Sequence, residues 1–297
     1  MFRLDAFAKI NLLLAVFPRR RDGFHPIITV FERISLKDRL TFKSRTDSEI
    51  KITSNAADLP CDSSNLCFRA AMLLRKTSGK TLGADVHIRK NIPLGSGMGG
   101  GSSDAAATLA ALNRLWGLRL SRKKLISLAC RLGSDVPFFL YDCAFALAKG
   151  RGERVVPWNA LRGKRFWHII VVPRINVPTP AVYRAWDLKQ AGKRNSLSRR
   201  LTSSDYSAKL IYLAIRNKNL SALTASLFNS LESVTLQAYP QVSRIKKALE
   251  GRGVKTILMS GSGPAVFGIV SSRKEATTVA AQLARNRGWQ VFVAQTR

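Results

Sequence analysis

The run Gly95-Ser96-Gly97-Met98-Gly99-Gly100-Gly101-Ser102-Ser103-Asp104 leads straight into an alanine-rich, helix-forming stretch, and this junction restricts the chain more than any other feature. Glycines let the backbone turn through positive φ and let a ligand approach the amides, while a helix start presents unpaired N–H groups and the positive end of the dipole. Such a junction suits an anion, and a triphosphate is the natural guest. The bland alternative is a flexible connection, but linkers rarely open directly onto a helix. Gly95, Gly97 and Gly100 satisfy the GxGxxG pattern of dinucleotide-binding folds, yet no acid for the ribose stands roughly 20 residues further on. Gly101 is followed by Ser102 where a Walker loop needs lysine, and no protein-kinase catalytic motif is present.

Around this junction the hydrophobic pattern predicts a mixed α/β chain. Strands are expected over 7–16, 27–36 and 39–42, a helix over 66–74 capped by Ser63 or Ser64, and a helix over 102–115. A further helix is capped by Ser121 and ends at Gly133, where a left-handed terminator is expected. Beyond about residue 157 a second half follows. It has strands over 166–172, 254–259, 265–270 and 289–294, a helix over 274–287 ended by Gly288, and a polar, exposed loop over 189–204. Two domains are therefore expected, 1–157 and 158–297, since 297 residues exceed what one core comfortably serves.

A formal charge of +31 raises the question of nucleic acid, but the basic residues run from Arg3 to Arg297 instead of gathering on one stripe. A solvated basic surface that attracts anionic ligands is the simpler reading. Cys61, Cys67, Cys130 and Cys143 form no CxxC pair, and His25, His87 and His168 are widely spaced, so neither a zinc site nor a disulfide framework is expected. No apolar stretch approaches a membrane span, and a cytoplasmic location is expected.

Two further places carry chemistry. Lys9 and Asn11 interrupt an apolar strand two residues apart and so share one face. A cation there either guards an edge strand or meets a phosphate or a substrate hydroxyl. Asp135 lies in Gly133-Ser134-Asp135-Val136-Pro137, where Pro137 biases Val136 toward extended backbone. It is either a turn residue or an acid placed by a rigid scaffold.

Taken together, Pro93 to Ala107, Leu132 to Phe139 and Met259 to Phe267 resemble, in order, the three signature regions of the GHMP kinases. Ala6-Phe7-Ala8-Lys9-Ile10-Asn11-Leu12 with Asp22-Gly23-Phe24-His25, and shorter matches at Gly150-Arg151-Gly152-Glu153, Pro178 to Tyr183 and Phe228 to Glu232, narrow the resemblance. It points to members that phosphorylate a cytidine diphosphate derivative in isoprenoid-precursor synthesis. The resemblance implies an α/β, α+β two-domain fold, with an N-terminal domain like ribosomal protein S5 domain 2 and a ferredoxin-like C-terminal domain.

By the same resemblance, Asp135 is the base that takes the proton from the substrate hydroxyl, with Lys9 beside it. Pro93, Leu94, Gly95, Ser96, Gly97, Met98, Gly99, Gly100, Gly101, Ser102 and Ser103 hold ATP with Mg²⁺, whose protein ligand stays unassigned. Phe24, His25 and Tyr183 surround the cytosine ring, Thr179 is nearby, and Asn11 lies toward the reacting end. Gly261, Ser262 and Gly263 line the same site. Phe24 and Tyr183 could instead be core aromatics. The implied partner is a small molecule, with no specific nucleic acid and no membrane, and the chain is expected as a monomer or weak homodimer. The rival readings are a related kinase for homoserine, mevalonate or a sugar, and a non-catalytic basic nucleic-acid-binding protein.

Overall fold

A computed structural model describes residues 1–191 and 197–297, the stretch 197–203 by its backbone alone. In chain order the first elements are β1 (Phe2–Val16), β2 (Ile27–Arg45), β3 (Ile50–Ser54), α1 (Leu66–Ser78), β4 (Gly83–Arg89), α2 (Gly100–Leu115) and α3 (Arg122–Leu132). Then come β5 (Phe145–Gly150), β6 (Arg154–Pro157), β7 (Trp167–Pro173), α4 (Thr179–Gln190), α5 (Leu197–Arg216) and α6 (Leu220–Ser226). The remainder is β8 (Phe228–Asn229), α7 (Glu232–Ala238), α8 (Pro240–Glu250), β9 (Thr256–Met259), β10 (Val266–Val270), α9 (Arg273–Leu283) and β11 (Trp289–Gln295). Two compact units interleave along this order. One takes Met1–Ala8, Leu36–Leu94 and Gly99–Asp142, the other Lys9–Ser35, Gly95–Met98 and Cys143–Arg297.

In the first unit β4 runs antiparallel to Arg39–Arg45 of β2 and parallel to β3. Period-two alternation turns Leu40, Phe42, Val86 and Ile88 into one core, and α1, α2 and α3 cover it with Leu74, Leu109, Leu112 and Leu128. Each such fully buried side chain contributes about 1.5–3 kcal/mol over its exposed state. The cap of α1 is Asn65, whose Oδ1 accepts the Cys67 N–H at 2.8 Å. The expected Ser64 is instead spent in the preceding turn, where its N–H and hydroxyl both donate to Asp62. Ser121 caps α3 as expected, accepting from the Lys124 N–H at 3.3 Å.

Gly133 does not take the left-handed conformation expected of it. Its φ of 176° is extended, because the chain does not turn back there but runs on through Ser134 and Asp135 into the 3-10 helix Val136–Leu140. The strands expected separately over 27–36 and 39–42 are one continuous β2. Nothing between them breaks a strand, and the polar pair Lys37 and Asp38 is absorbed by partners, Asp5 for Lys37 and the Asn91 and Ile92 N–H groups for Asp38. Helix α2 starts two residues earlier than expected, at Gly100.

In the second unit Ile27–Glu32 of β2 pairs antiparallel with β5, which turns back into β6. Leu13 and Leu14 of β1 pair in parallel with β8. A four-stranded antiparallel sheet in the order β11-β7-β10-β9 buries Ile169, Val171, Met259 and Val266 together with Ile245 and Leu249 of α8. Fully buried within this unit, Thr296 Oγ1 donates to Glu32 Oε1 at 2.5 Å, and His168 Nε2 stands 3.2 Å from that oxygen. The Gln295 N–H donates to Ser35 Oγ and the Arg297 N–H to the Arg33 carbonyl, so the end of the chain is stitched onto β2.

The polar stretch 189–204 is not a loop where it is described. Residues 189 and 190 close α4 and 197–204 begin α5, while 192–196 lie outside the described residues. Ser204, Ala208, Ile211 and Ile215 are buried at helical spacing, so the apolar stripe further along α5 carries the polar part with it.

Candidate active site

The glycine segment is built by two kinds of anchoring. Gly95, Gly97 and Gly99 have φ of 62°, 78° and 70°. At Gly97 a Cβ would sit 2.3 Å from the Ser260 carbonyl oxygen, so both conformation and space require glycine. The Ala265 N–H donates to the Ser96 carbonyl, and the Lys9 N–H donates to the Met98 carbonyl at 3.0 Å. Ser96, Met98 and Ser103 are buried, whereas Leu94, Gly95 and Gly101 are exposed and Pro93, Gly99, Gly100 and Ser102 are half-buried.

Gly99 precedes α2 with no side-chain cap, and the first turn of that helix holds no acid. The opening N–H groups of Gly100, Gly101 and Ser102 are therefore offered to an anion, with the helix dipole behind them.

In the second unit Lys9 is 3% exposed and its Nζ donates to Asn11 Oδ1 at 2.7 Å and to the Gly97 carbonyl at 3.0 Å. Asn11 is oriented in turn, its Nδ2 donating to Thr29 Oγ1, which donates to the Leu13 carbonyl. Ser260 Oγ donates to the same Gly97 carbonyl at 3.1 Å. Asn229 Nδ2 donates to the carbonyls of Met259 and Gly261 at 2.8 Å each and thereby shapes the loop that carries Gly261 and Ser262. Ser262 Oγ and Thr179 Oγ1 share a hydrogen bond of 2.8 Å. Lys9, Asn11, Gly97 and Gly261 are thus gathered together, and Thr179 with Ser262.

His25 also lies in this unit, its ring 5.1 Å from that of Tyr183 and edge-on to Trp186. Its Nδ1 is 2.9 Å from the Phe17 carbonyl, which requires the proton on Nδ1, and Nε2 faces Asp187 at 3.4 Å. Tyr183 is half-buried against the core, but Phe24 is 49% exposed and so is no core aromatic.

Asp135 belongs to the first unit. It is half-buried, has αR backbone at the start of the 3-10 helix, and does not spend its carboxylate on capping that helix.

One cluster escaped the sequence reading. Lys90, at the end of β4, bonds Asp38 Oδ2, and its Nζ donates to Asp104 Oδ2 at 2.7 Å. All three side chains are at most 4% exposed. Asp38 Oδ1 accepts the N–H groups of Asn91 and Ile92, so β2, the segment before the glycines and the first turns of α2 are tied through one ammonium. Gly100 is packed against it, since a Cβ there would be 3.1 Å from Lys90 Nζ. Only Lys90 after an alternating strand and Asp104 after the serines hinted at it.

Burial pushes the Asp104 carboxyl up to about 7; Lys90 opposes the rise and Asp38 adds to it. Burial depresses the Lys90 ammonium, but Asp104 and then Asp38 outweigh that and leave it above its ordinary value. For Asp104 the folded state holds a proton between about pH 4 and 7 that the unfolded state does not. That contribution to stability is therefore present at low pH and is lost as pH rises through about 7. Asp104→Asn is expected to compare worse with the parent at pH 5 than at pH 8 in paired thermal melts. A difference that stays flat with pH would exclude this titration.

The chain matches the model of the GHMP kinases N terminal domain over residues 65–143 and that of the GHMP kinases C terminal over 211–288. It is 40% identical to a "4-diphosphocytidyl-2-C-methyl-D-erythritol kinase" of Pelotomaculum thermopropionicum, over 98% of this chain and 96% of that one. With the enzyme of the same name from Alkaliphilus metalliredigens it shares 38% identity, covering 90% and 87% of the two chains. The crystal structure of a 4-(cytidine 5'-diphospho)-2C-methyl-D-erythritol kinase superposes with a TM-score of 0.78 at 31% identity, over 99% of this chain and 98% of the other. A homoserine kinase from Cytophaga hutchinsonii, at 20% identity and a TM-score of 0.73, shares the fold.

Proposed function

The chain belongs to the GHMP kinases, and within them to the 4-diphosphocytidyl-2-C-methyl-D-erythritol kinases; from that premise we propose how its own residues carry the reaction. ATP phosphorylates the 2-hydroxyl of 4-diphosphocytidyl-2-C-methyl-D-erythritol, giving the 2-phosphate and ADP in the non-mevalonate route to isoprenoid precursors.

The triphosphate lies along the glycine segment from Pro93 to Ser103, held by main-chain N–H groups and the start of α2. Asp135 accepts the proton of the attacking hydroxyl. Lys9, fixed by Asn11 and by the Gly97 carbonyl, supplies positive charge where negative charge builds on the transferred group. The observation that carries this chemistry is that bond: a buried ammonium group hydrogen-bonded to the glycine segment itself. Phe24 and Tyr183 offer faces to the cytosine ring and His25 an imidazole to its polar edge. Thr179, Ser262 and Gly261 stand nearby, with Asn11 toward the reacting hydroxyl.

Mg²⁺ fits this arrangement through few protein oxygens, since the ion commonly keeps water and nucleotide phosphates as ligands. The half-buried Ser102 hydroxyl, one turn into α2, is a suitable donor, whereas Asp104 is engaged by Lys90. Bound there, the ion would neutralise phosphate charge. Among the described residues no helix is long and apolar enough to cross a membrane. A cytoplasmic enzyme acting on a small molecule, divided near residue 157 into N- and C-terminal halves, is the reading we adopt.

Purified protein incubated with ATP and the cytidine diphosphate substrate should release ADP and yield a product heavier by one phosphoryl group in mass spectrometry. ADP release with homoserine or mevalonate, and none with the cytidine derivative, would overturn this assignment.

A further inference from the structure

Phe24 stands at the end of a short loop that is held more firmly than its exposure suggests. Its N–H donates to Asp22 Oδ1 at 3.1 Å, the Arg20 N–H donates to the Phe24 carbonyl at 2.9 Å, and Arg19 Nε donates to the Gly23 carbonyl at 2.8 Å. The Arg151 guanidinium lies over the Phe24 ring, 4.7 Å from its centroid.

This contact follows from strand register. Ile27 at the start of β2 is opposite Gly150 at the end of β5, so the turn after β5 falls beside the residues that precede Ile27. Gly150 and Gly152 have φ of 80° and 113°, and the Arg151 N–H between them donates to Glu153 Oε2 at 2.6 Å. The turn is thereby shaped to project the arginine.

A guanidinium stacked on an aromatic ring uses its flat face, and the in-plane N–H donors are not consumed by the stack. The acids around it are already engaged. Asp22 bonds Arg20, and the Phe24 N–H, Arg20 and then Arg151 together hold its carboxyl below the usual range. Glu153 accepts the main-chain N–H of Arg151. An exposed aromatic face with a planar, phosphate-matching cation against it is the equipment for a base carrying phosphates.

We propose that Arg151 is a substrate-binding residue whose guanidinium, held on Phe24, takes hold of the diphosphate of the cytidine diphosphate group. The inference rests on the function proposed above and adds to it the group that distinguishes a nucleoside diphosphate from a bare nucleoside.

The test compares cytidine diphosphate with cytidine by calorimetry on the parent, Arg151→Gln and Arg151→Lys, with thermal melts to verify folding. The parent should prefer the diphosphate. Arg151→Gln should weaken the diphosphate about 10–100-fold, in keeping with a lost charged hydrogen bond, and cytidine less than about 3-fold. Arg151→Lys, which keeps charge without the planar fork, should fall between. In turnover assays the KM for the full substrate should rise while kcat stays within about 2–3-fold. Equal losses for cytidine and its diphosphate, or no loss for either, would overturn the proposal. A parent that prefers the diphosphate yet fails to phosphorylate the full substrate would instead sink the kinase assignment and leave Arg151 standing.

Discussion

Asp135→Asn is expected to lower turnover by ~10²–10⁴-fold and to leave ATP affinity within about 3-fold of the parent. The amide matches the carboxylate in shape but cannot accept the hydroxyl proton, so the loss falls on the chemical step. Backbone strain does not confuse the result. Asp135 has ordinary αR geometry, its side chain does not cap the 3-10 helix that follows, and Pro137 in that helix is untouched by the change. Steady-state ADP release gives kcat, and calorimetric titration with a non-hydrolysable ATP analogue gives the affinity. Undiminished turnover would remove Asp135 from the mechanism. Equal losses in turnover and in nucleotide affinity would make it a binding residue.

Lys90→Met should destabilise the protein by about 3–5 kcal/mol, the usual consequence of removing one partner from a buried ion pair. Methionine fills much of the lysine's volume, so the loss is electrostatic. Asp38 and Asp104 are left as two buried carboxyl groups without their shared cation, beneath Gly100. Against a typical total stability of about 5–15 kcal/mol this is a large fraction. Urea unfolding should show a lower midpoint at an unchanged slope. Lys90→Met combined with Asp104→Asn should recover part of the loss, because the second change removes one of the two acids left crowded together without their cation. Additive losses in that cycle would mean that the three side chains do not act as a unit.

What could be read beforehand followed from range. The glycine junction, the Ser121 cap and the shared face of Lys9 and Asn11 depend on residues close in sequence, where the periods of strand and helix suffice. Asp38 was illegible for the opposite reason. It looks like the polar end of a strand, and the N–H groups it satisfies lie 53 and 54 positions further along. The break expected before Arg39 was the same error, since Lys37 and Asp38 are polar residues inside a strand whose partners come from elsewhere. Gly133 misled because a glycine after a helix suits a left-handed turn, while the direction the chain must take toward Asp135 decided otherwise. Arg151 was visible as part of a matching motif, but its stacking on Phe24 depends on strand register, which local pattern does not reveal.

The stitching of Thr296 to Glu32 reaches into the protein's birth. The two residues are 264 positions apart, so at ordinary ribosomal speeds the carboxylate of Glu32 emerges on the order of 10–50 s before its hydroxyl partner exists. During that interval the early strands carry an acid destined for a dry interior whose hydroxyl partner is missing, and they must stay wet or be sheltered by chaperones. Completion of this unit is therefore a late event in biogenesis, governed by elongation as much as by the intrinsic speed of the polypeptide.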